Sequence, residues 1–423
     1  MNYQESVSFL NRFRELGVEP RLEHTSHLLA CLGFDYQGLV IQVAGTNGKG
    51  SVCAMIERVL REHGLATGLY VSPALMDFTD RVFVSGKPIS REALAILATS
   101  VQPYVDAMES TIGLPTFFEL ITALCMKHLA DSGVDVMIAE AGMGGRLDST
   151  NVLDSQVSVV TNVGLEHTEY LGATLPEIAR EKAGILSHDT CMITAETNEK
   201  TLETLEKACI HKNSRFICVG RDITYTNGGL DGFIQKASVH AGSDYELSLP
   251  LIGSHQVVNA ATAIAVIEEL EAHGITVPVE TVESALGKLK WPGRMEVVAE
   301  SPLVILDGAH NKPAVERLLA AIDELDHDDM YCVLGFSKTK PYDELLKMFA
   351  DRSEKVFPVR SSDPNSVPVS ELTGMDGATP SDSIDAGITS ALNCAGANDL
   401  ILVSGSLYVV GHARRRWHDK VIL

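Results

Sequence analysis

Seven residues, Gly45-Thr46-Asn47-Gly48-Lys49-Gly50-Ser51, bring together the groups that a phosphate chain needs. Glycines let backbone N–H groups turn towards an anion, and a helix starting there adds its partial positive end. Lys49 offers a point charge for the outer phosphates, and Ser51 a hydroxyl near a metal. The spacing is not the common G-x-x-x-x-G-K-[ST]. Val43 stands at the first glycine, and Gly50 separates Lys49 from Ser51. That departure argues against an ordinary GTPase or kinase while keeping phosphate binding. A second candidate is Glu140, with apolar residues before it and glycines soon after. Such a carboxylate suits Mg2+, a hard ion that takes one or two carboxylates with phosphate oxygens and water.

These residues need a frame. Residues 38–44 read as a buried strand, followed by the glycine-rich turn and a helix over 51–63. Residues 134–140 and 157–162 read as two more strands, with a helix over 116–132 between the first and second. Such alternation predicts parallel strands with crossover helices, where ligands sit beyond the carboxyl ends. Residues 191–251 are richer in Thr, Ser and Gly, and are expected to extend the first domain, with Asn227-Gly228-Gly229 as a hairpin turn. A helix over 257–273 precedes Trp291-Pro292-Gly293, the best domain boundary. Strands then resume at 303–306, 331–334, 355–359 and 400–403, and 361–383 reads as surface loop. The expected architecture is α/β: a P-loop-type parallel-sheet ATPase domain over 1–294 and a smaller Rossmann-like α/β domain over 295–423.

Composition narrows the partners. The 423 residues are 45% hydrophobic and 21% charged, enough apolar material for a sizeable core. With 34 Lys+Arg against 56 Asp+Glu, the net charge is −22, a poor match for a nucleic-acid backbone. The eight cysteines form no C-x-x-C pair, and neither zinc site nor disulfide framework is expected. No apolar stretch reaches the roughly 18–20 residues of a membrane span, and no signal layout opens the chain. A cytoplasmic protein, expected to be a monomer, with neither nucleic-acid nor membrane partner, follows.

The loop G-T-N-G-K-G-S after a V-A strand resembles the Mur ligase superfamily. Further blocks narrow the resemblance to folylpolyglutamate synthase/dihydrofolate synthase. They are Ile138–Asn151 (IAEAGMGGRLDSTN), Gly164–Thr168, Arg180–Ile185, His255-Gln256-x-x-Asn259, Trp291–Arg294 and Leu306–Asn311. An early block over 21–33 matches as well. The resemblance implies an ATP-dependent ligase of folate biosynthesis and one-carbon metabolism. Its substrates would be ATP, L-glutamate and a folate or dihydropteroate, joined through an acyl phosphate. It also implies Ser72, Glu140 and His167 as magnesium ligands, and Lys49, Lys182 and His310 as catalytic. Lys182 would be carbamylated, and His310 would lie near the incoming amino acid. Gly45 to Ser51, Asn259, Arg294 and Asp307 would hold the nucleotide. Thr116, Phe117, Phe118 and Glu119, with Leu147, Asp148 and Ser149, match pterin-binding segments. One departure stands out: Ser72-Pro73-Ala74-Leu75 replaces the frequent Ser-Pro-His-Leu, so any contact of that imidazole is lost. Both glutamate-adding reactions are expected. The alternatives are another amino-acid ligase of the superfamily, or a non-catalytic nucleotide-binding switch.

Overall fold

A computed structural model of the chain describes residues 1–17, 21–372, 378–418, 420, 421 and 423. Eight strands form the first sheet: β1 (Leu39–Ala44), β2 (Thr67–Tyr70), β3 (Val82–Val84), β4 (Lys87–Pro88), β5 (Val136–Glu140), β6 (Val157–Val160), β7 (Cys191–Thr194) and β8 (Arg215–Cys218). Their order is β4-β3-β2-β5-β1-β6-β7-β8. β1 sits between β5 and β6, parallel to both. Only the pairings of β2 with β3 and of β3 with β4, at one edge, are antiparallel. β1 is almost wholly apolar because helices cover both its faces. Ile41 and Val43 pack with Val52, Ile56 and Val59 of helix Lys49–Glu62. Val40 packs with Leu120 and Leu124 of helix Phe117–Asp131. The register pairs Val43 with Glu140, so the carboxylate ends level with the start of the phosphate loop.

Strands β9 (Thr224–Asp231), β10 (Ile234–His240) and β11 (Asp244–Leu249) form a separate antiparallel sheet. Val239, Leu247 and Leu249 share a core with β1 and with helix Ser254–Glu269. The expected turn at Asn227-Gly228-Gly229 is not there. Those residues lie inside β9, where Lys236 pairs with Gly229 and Ala237 with Asn227, leaving Gly228 as a bulge. The reversal comes at Gly232-Phe233, between paired Asp231 and Ile234, with Gly232 at φ +60°. Gly232, first of the two loop residues, is the better hairpin signal, because glycine takes the left-handed backbone that this position needs.

The last sheet has order β12-β13-β16-β14-β15, from β12 (Glu296–Glu300), β13 (Leu303–Leu306), β14 (Met330–Leu334), β15 (Lys355–Pro358) and β16 (Leu400–Ser404). All pairings are parallel except that of β12. Helices Lys312–Ile322 and Tyr342–Ala350 cover one face, Ile384–Cys394 and Leu407–Arg414 the other. The segment expected as surface loop is anchored, since Val367 and Leu372 are wholly buried. Residues 373–377 of it lie outside the described residues. All eight cysteines are unpaired, and burial pushes Cys125 and Cys332 up to about 12, so they stay protonated thiols. Among the described residues no helix is long and apolar enough to cross a membrane.

Candidate active site

The phosphate loop is held open by its surroundings. Gly48 begins helix Lys49–Glu62 at φ +88° with no side-chain cap, so the first N–H groups of that helix are left for a ligand. A Cβ on Gly48 would come within 2.5 Å of Asn259 Oδ1, and one on Gly45 (φ +144°) within 1.8 Å of Thr161 Oγ1. Neither position accepts a larger residue. The middle of the loop is tied to the end of β6. Asn47 N–H donates to Asn162 Oδ1 at 3.0 Å, and its carbonyl accepts from Thr161 Oγ1 (2.7 Å) and Asn162 Nδ2 (2.8 Å). Lys49 Nζ donates to the carbonyls of Gly45 (2.9 Å) and Thr46 (3.2 Å), lying back across the loop.

Beside the loop stand Glu140 and Ser72, two of the three residues expected to hold a metal. Glu140 Oε2 accepts the Ser72 N–H at 3.0 Å and would lie 3.5 Å from a Cβ on Gly50. Burial raises the Glu140 pKa, with Lys49 and the Ser72 N–H pulling the other way. A cation would relieve that cost. His167 sits in the left-handed region at φ +46°, and burial, then Lys340, lowers its pKa, which favours the neutral imidazole. No group of three or more His, Cys, Asp or Glu that could cage a metal occurs among the described residues. The Glu140 carboxylate beside the phosphate loop fits Mg2+ shared with phosphate oxygens, the usual arrangement for that ion.

Lys182 differs from its sequence setting. A helix over 177–185 would place it among surface charges. In helix Leu175–Ala183 it is instead fully buried, with Nζ 2.6 Å from Glu166 Oε1. Burial lowers the lysine to about 8 despite that carboxylate. Glu166 retains some solvent, so the positive charges of Lys182 and Lys49 overcome its burial and hold it at about 2. Glu166, sixteen residues away in sequence, is the partner that spacing did not reveal.

Around the boundary, Asn259 lies in the second turn of helix Ser254–Glu269, its Nδ2 on Gln256 Oε1 at 2.9 Å and its Oδ1 against Gly48. Asp307 spends both oxygens on backbone N–H groups, Met295 at 2.9 Å and Ala309 at 2.8 Å. Arg294 Nη1 reaches the Gly293 carbonyl at 3.2 Å. His310 Nδ1 pairs with the Gly308 carbonyl at 2.8 Å, and burial lowers this histidine to about 4. Lys340, from the loop after β14, joins the site without having been singled out in sequence, and Trp291, read there as a domain boundary and part of a family block, lies against Gly50.

The acceptor segments have local structural work as well. Thr116 and Glu119 form a reciprocal capping box at the start of helix Phe117–Asp131, and Glu119 also takes His24 at 3.2 Å. The T-x-x-E spacing was a visible signal for that role. Phe117 sits edge-on to Phe78 beneath Arg14 and Arg81, whereas Phe118 turns towards Gly142 and Tyr70. Buried Asp148 accepts from Met143 N–H (2.8 Å) and caps the short turn Ser149–Val152. Ser149 is buried beside it and Leu147 partly exposed.

Comparison with known proteins agrees over the whole chain. The Mur ligase middle domain family matches residues 43–267, and the Mur ligase glutamate ligase domain family matches 293–407. A Halobacterium salinarum protein named "probable bifunctional folylpolyglutamate synthase/dihydropteroate synthase" is 35% identical over 99% of this chain. The chain spans about half of that relative's length, 52%. The Bacillus subtilis dihydrofolate synthase/folylpolyglutamate synthase is 33% identical over 98% of this chain and 99% of its own. The crystal structure of Mycobacterium tuberculosis folylpolyglutamate synthase complexed with ADP and AMPPCP superposes with TM-score 0.91 at 26% identity, covering 99% of this chain and 100% of that one. With matching domains in matching order and a glycine loop, carboxylate and buried lysine gathered at one sheet edge, the chain belongs to the folylpolyglutamate synthase/dihydrofolate synthase family of Mur-type ligases.

Proposed function

We propose that this chain is an ATP-dependent ligase that adds L-glutamate to a folate and also to dihydropteroate, working as a cytoplasmic monomer. We divide it into an ATP-binding part with the folate site, 1–294, and a glutamate-ligase part, 295–423. The observation that supports this most is a small cavity of about 40 Å³ lined by Gly50, Ser72, Glu140, Trp291 and Arg294. It sets the phosphate loop, a buried carboxylate and a guanidinium around one space.

A carboxylate does not form an amide in water because oxide is a very poor leaving group. ATP removes that obstacle. An acceptor carboxylate oxygen attacks the γ-phosphorus, ADP leaves, and glutamate's amine then attacks the acyl carbon, expelling phosphate and losing a proton. Catalysis is mostly positioning and charge neutralisation. Lys49 would leave the Gly45 and Thr46 carbonyls for the phosphate oxygens. Bound Mg2+, held by Glu140, Ser72 and His167, would supply further neutralisation there. His310 donates its Nδ1 proton to Gly308 and keeps Nε2 as an acceptor beside the amine. Lys182, lowered to about 8 by burial, has a neutral fraction able to add carbon dioxide: an N–C bond forms and a proton leaves. The resulting carbamate would face Glu166 as a second anion, a pair that a cation must separate. Phe117, Phe118 and the turn from Leu147 to Ser149 would border the pterin.

The purified chain, given ATP, glutamate and either tetrahydrofolate or dihydropteroate, is expected to release phosphate with both acceptors. No release with either overturns the ligase reading. Release with tetrahydrofolate alone overturns only the second activity.

A further inference from the structure

A pair of side chains, 264 residues apart in sequence, joins the phosphate loop to the second α/β unit. Asn311 Nδ2 donates to Asn47 Oδ1 at 2.9 Å, and Asn47 Nδ2 donates back to Asn311 Oδ1 at 3.3 Å. The backbone N–H and C=O of Asn47 are already taken by Asn162 and Thr161, so its amide is the part left to reach outward. Asn311 is equally committed. Its Oδ1 also accepts the Ala314 N–H at 3.0 Å, capping helix Lys312–Ile322. The residue before it is His310. A shift of the loop is therefore handed directly to the turn that carries His310 and to the helix behind it.

We propose that Asn311 is a positioning residue that couples occupancy of the phosphate loop to docking of the glutamate-ligase unit, keeping water from the acyl phosphate. This rests on the ligase reading above. An amide is suited to the task because it donates and accepts at once, so the pair forms in one register only. Each member is neutral, so contact and release stay reversible, as a unit that must open for product requires.

Asn311→Ser separates the two jobs of the side chain. Serine retains a capping oxygen but is too short to reach Asn47. The variant is expected to bind ATP within about twofold of wild type while its kcat falls about tenfold, the size of effect two neutral hydrogen bonds have on a two-state contact. The ratio of ADP released to amide formed should rise above one, because an undocked acyl phosphate is hydrolysed to acid and phosphate. ATP-induced hydrogen-exchange protection over residues 307–315 should also disappear. Asn311→Asp caps well and can still accept from Asn47 Nδ2, so it should fall between the two. A loss confined to melting temperature, with the ADP-to-amide ratio at one and the ATP-induced protection intact, would reduce Asn311 to a helix cap and overturn the proposal. Should Asn311→Ser fail to fold, the same ratio and protection in Asn311→Asp decide: wild-type values overturn it. Wild-type protein without turnover would instead sink the ligase reading on which the proposal rests.

Discussion

The ends of β1 and β13 share one local plan, strand then turn then helix, and are finished in opposite ways. After β1 the helix opens on Gly48, left-handed and without a side-chain cap. After β13 the helix opens on Asn311, whose side chain closes it. The charged groups follow suit. Burial raises the pKa of Glu140 and of Asp307 alike, but near β1 Glu140 has one oxygen on Ser72, and Lys182 is buried against a single carboxylate. At β13, both oxygens of Asp307 are met by backbone N–H groups. Spare hydrogen-bonding capacity lies at the end of β1, as the proposed ligand site requires, and saturation at the end of β13, as a unit that docks whole requires. An unsatisfied helix terminus and an undercompensated buried charge both cost stability, and a bound anion with its cation returns it.

The largest effect should come from filling the open terminus. Gly48→Ala places a Cβ at 2.5 Å from Asn259 Oδ1 in a left-handed conformation. We expect ATP turnover to drop roughly 100-fold, the equivalent of the few kcal/mol such strain costs. Phosphate release measured beside the melting curve checks this, and unchanged turnover would show that the loop's opening has no role.

Next is the buried pair. In the uncarbamylated protein, Lys182→Met leaves Glu166 without the cation it pairs with, and should lower unfolding stability in urea by about 3–5 kcal/mol. Combining it with Glu166→Gln should recover most of that stability without restoring ligation. Recovery of both would make the pair purely structural. A fully active Lys182→Met would remove the lysine from the site.

A further effect is one of pH. Burial lowers both His255 and His310 to about 4, against an ordinary 6.5. Between these values the unfolded chain binds more protons than the folded one, so stability must fall as pH drops from about 6.5 to about 4. Urea midpoints across that window should flatten in a His255→Gln, His310→Gln double variant. A slope unchanged from wild type would place the acid sensitivity elsewhere.

Much of this design is written locally. The loop of Gly45 to Ser51, the β-branched runs of β1, β5 and β6, the break at Trp291-Pro292-Gly293 and the restart at β13 are patterns within a dozen residues, and backbone sterics, burial periodicity and helix-end electrostatics decide such patterns without help from afar. The T-x-x-E cap at Thr116 and the turn at Gly232 were legible in the same way, though other readings of those segments competed with them. What tertiary structure alone decided lies across longer separations. Whether Lys182 faced solvent or Glu166 depended on what its helix packed against. The direction of Phe117 and of Phe118 depended on Phe78 and Gly142. Gly48 needed to be glycine because Asn259, 211 positions later in the chain, fills the space beside it. The join of Asn47 to Asn311 exists only once two separate sheets have formed and met. Composition and spacing state which groups are available, but close contact between distant segments is set by packing, and a buried charge acquires its proton affinity from those neighbours.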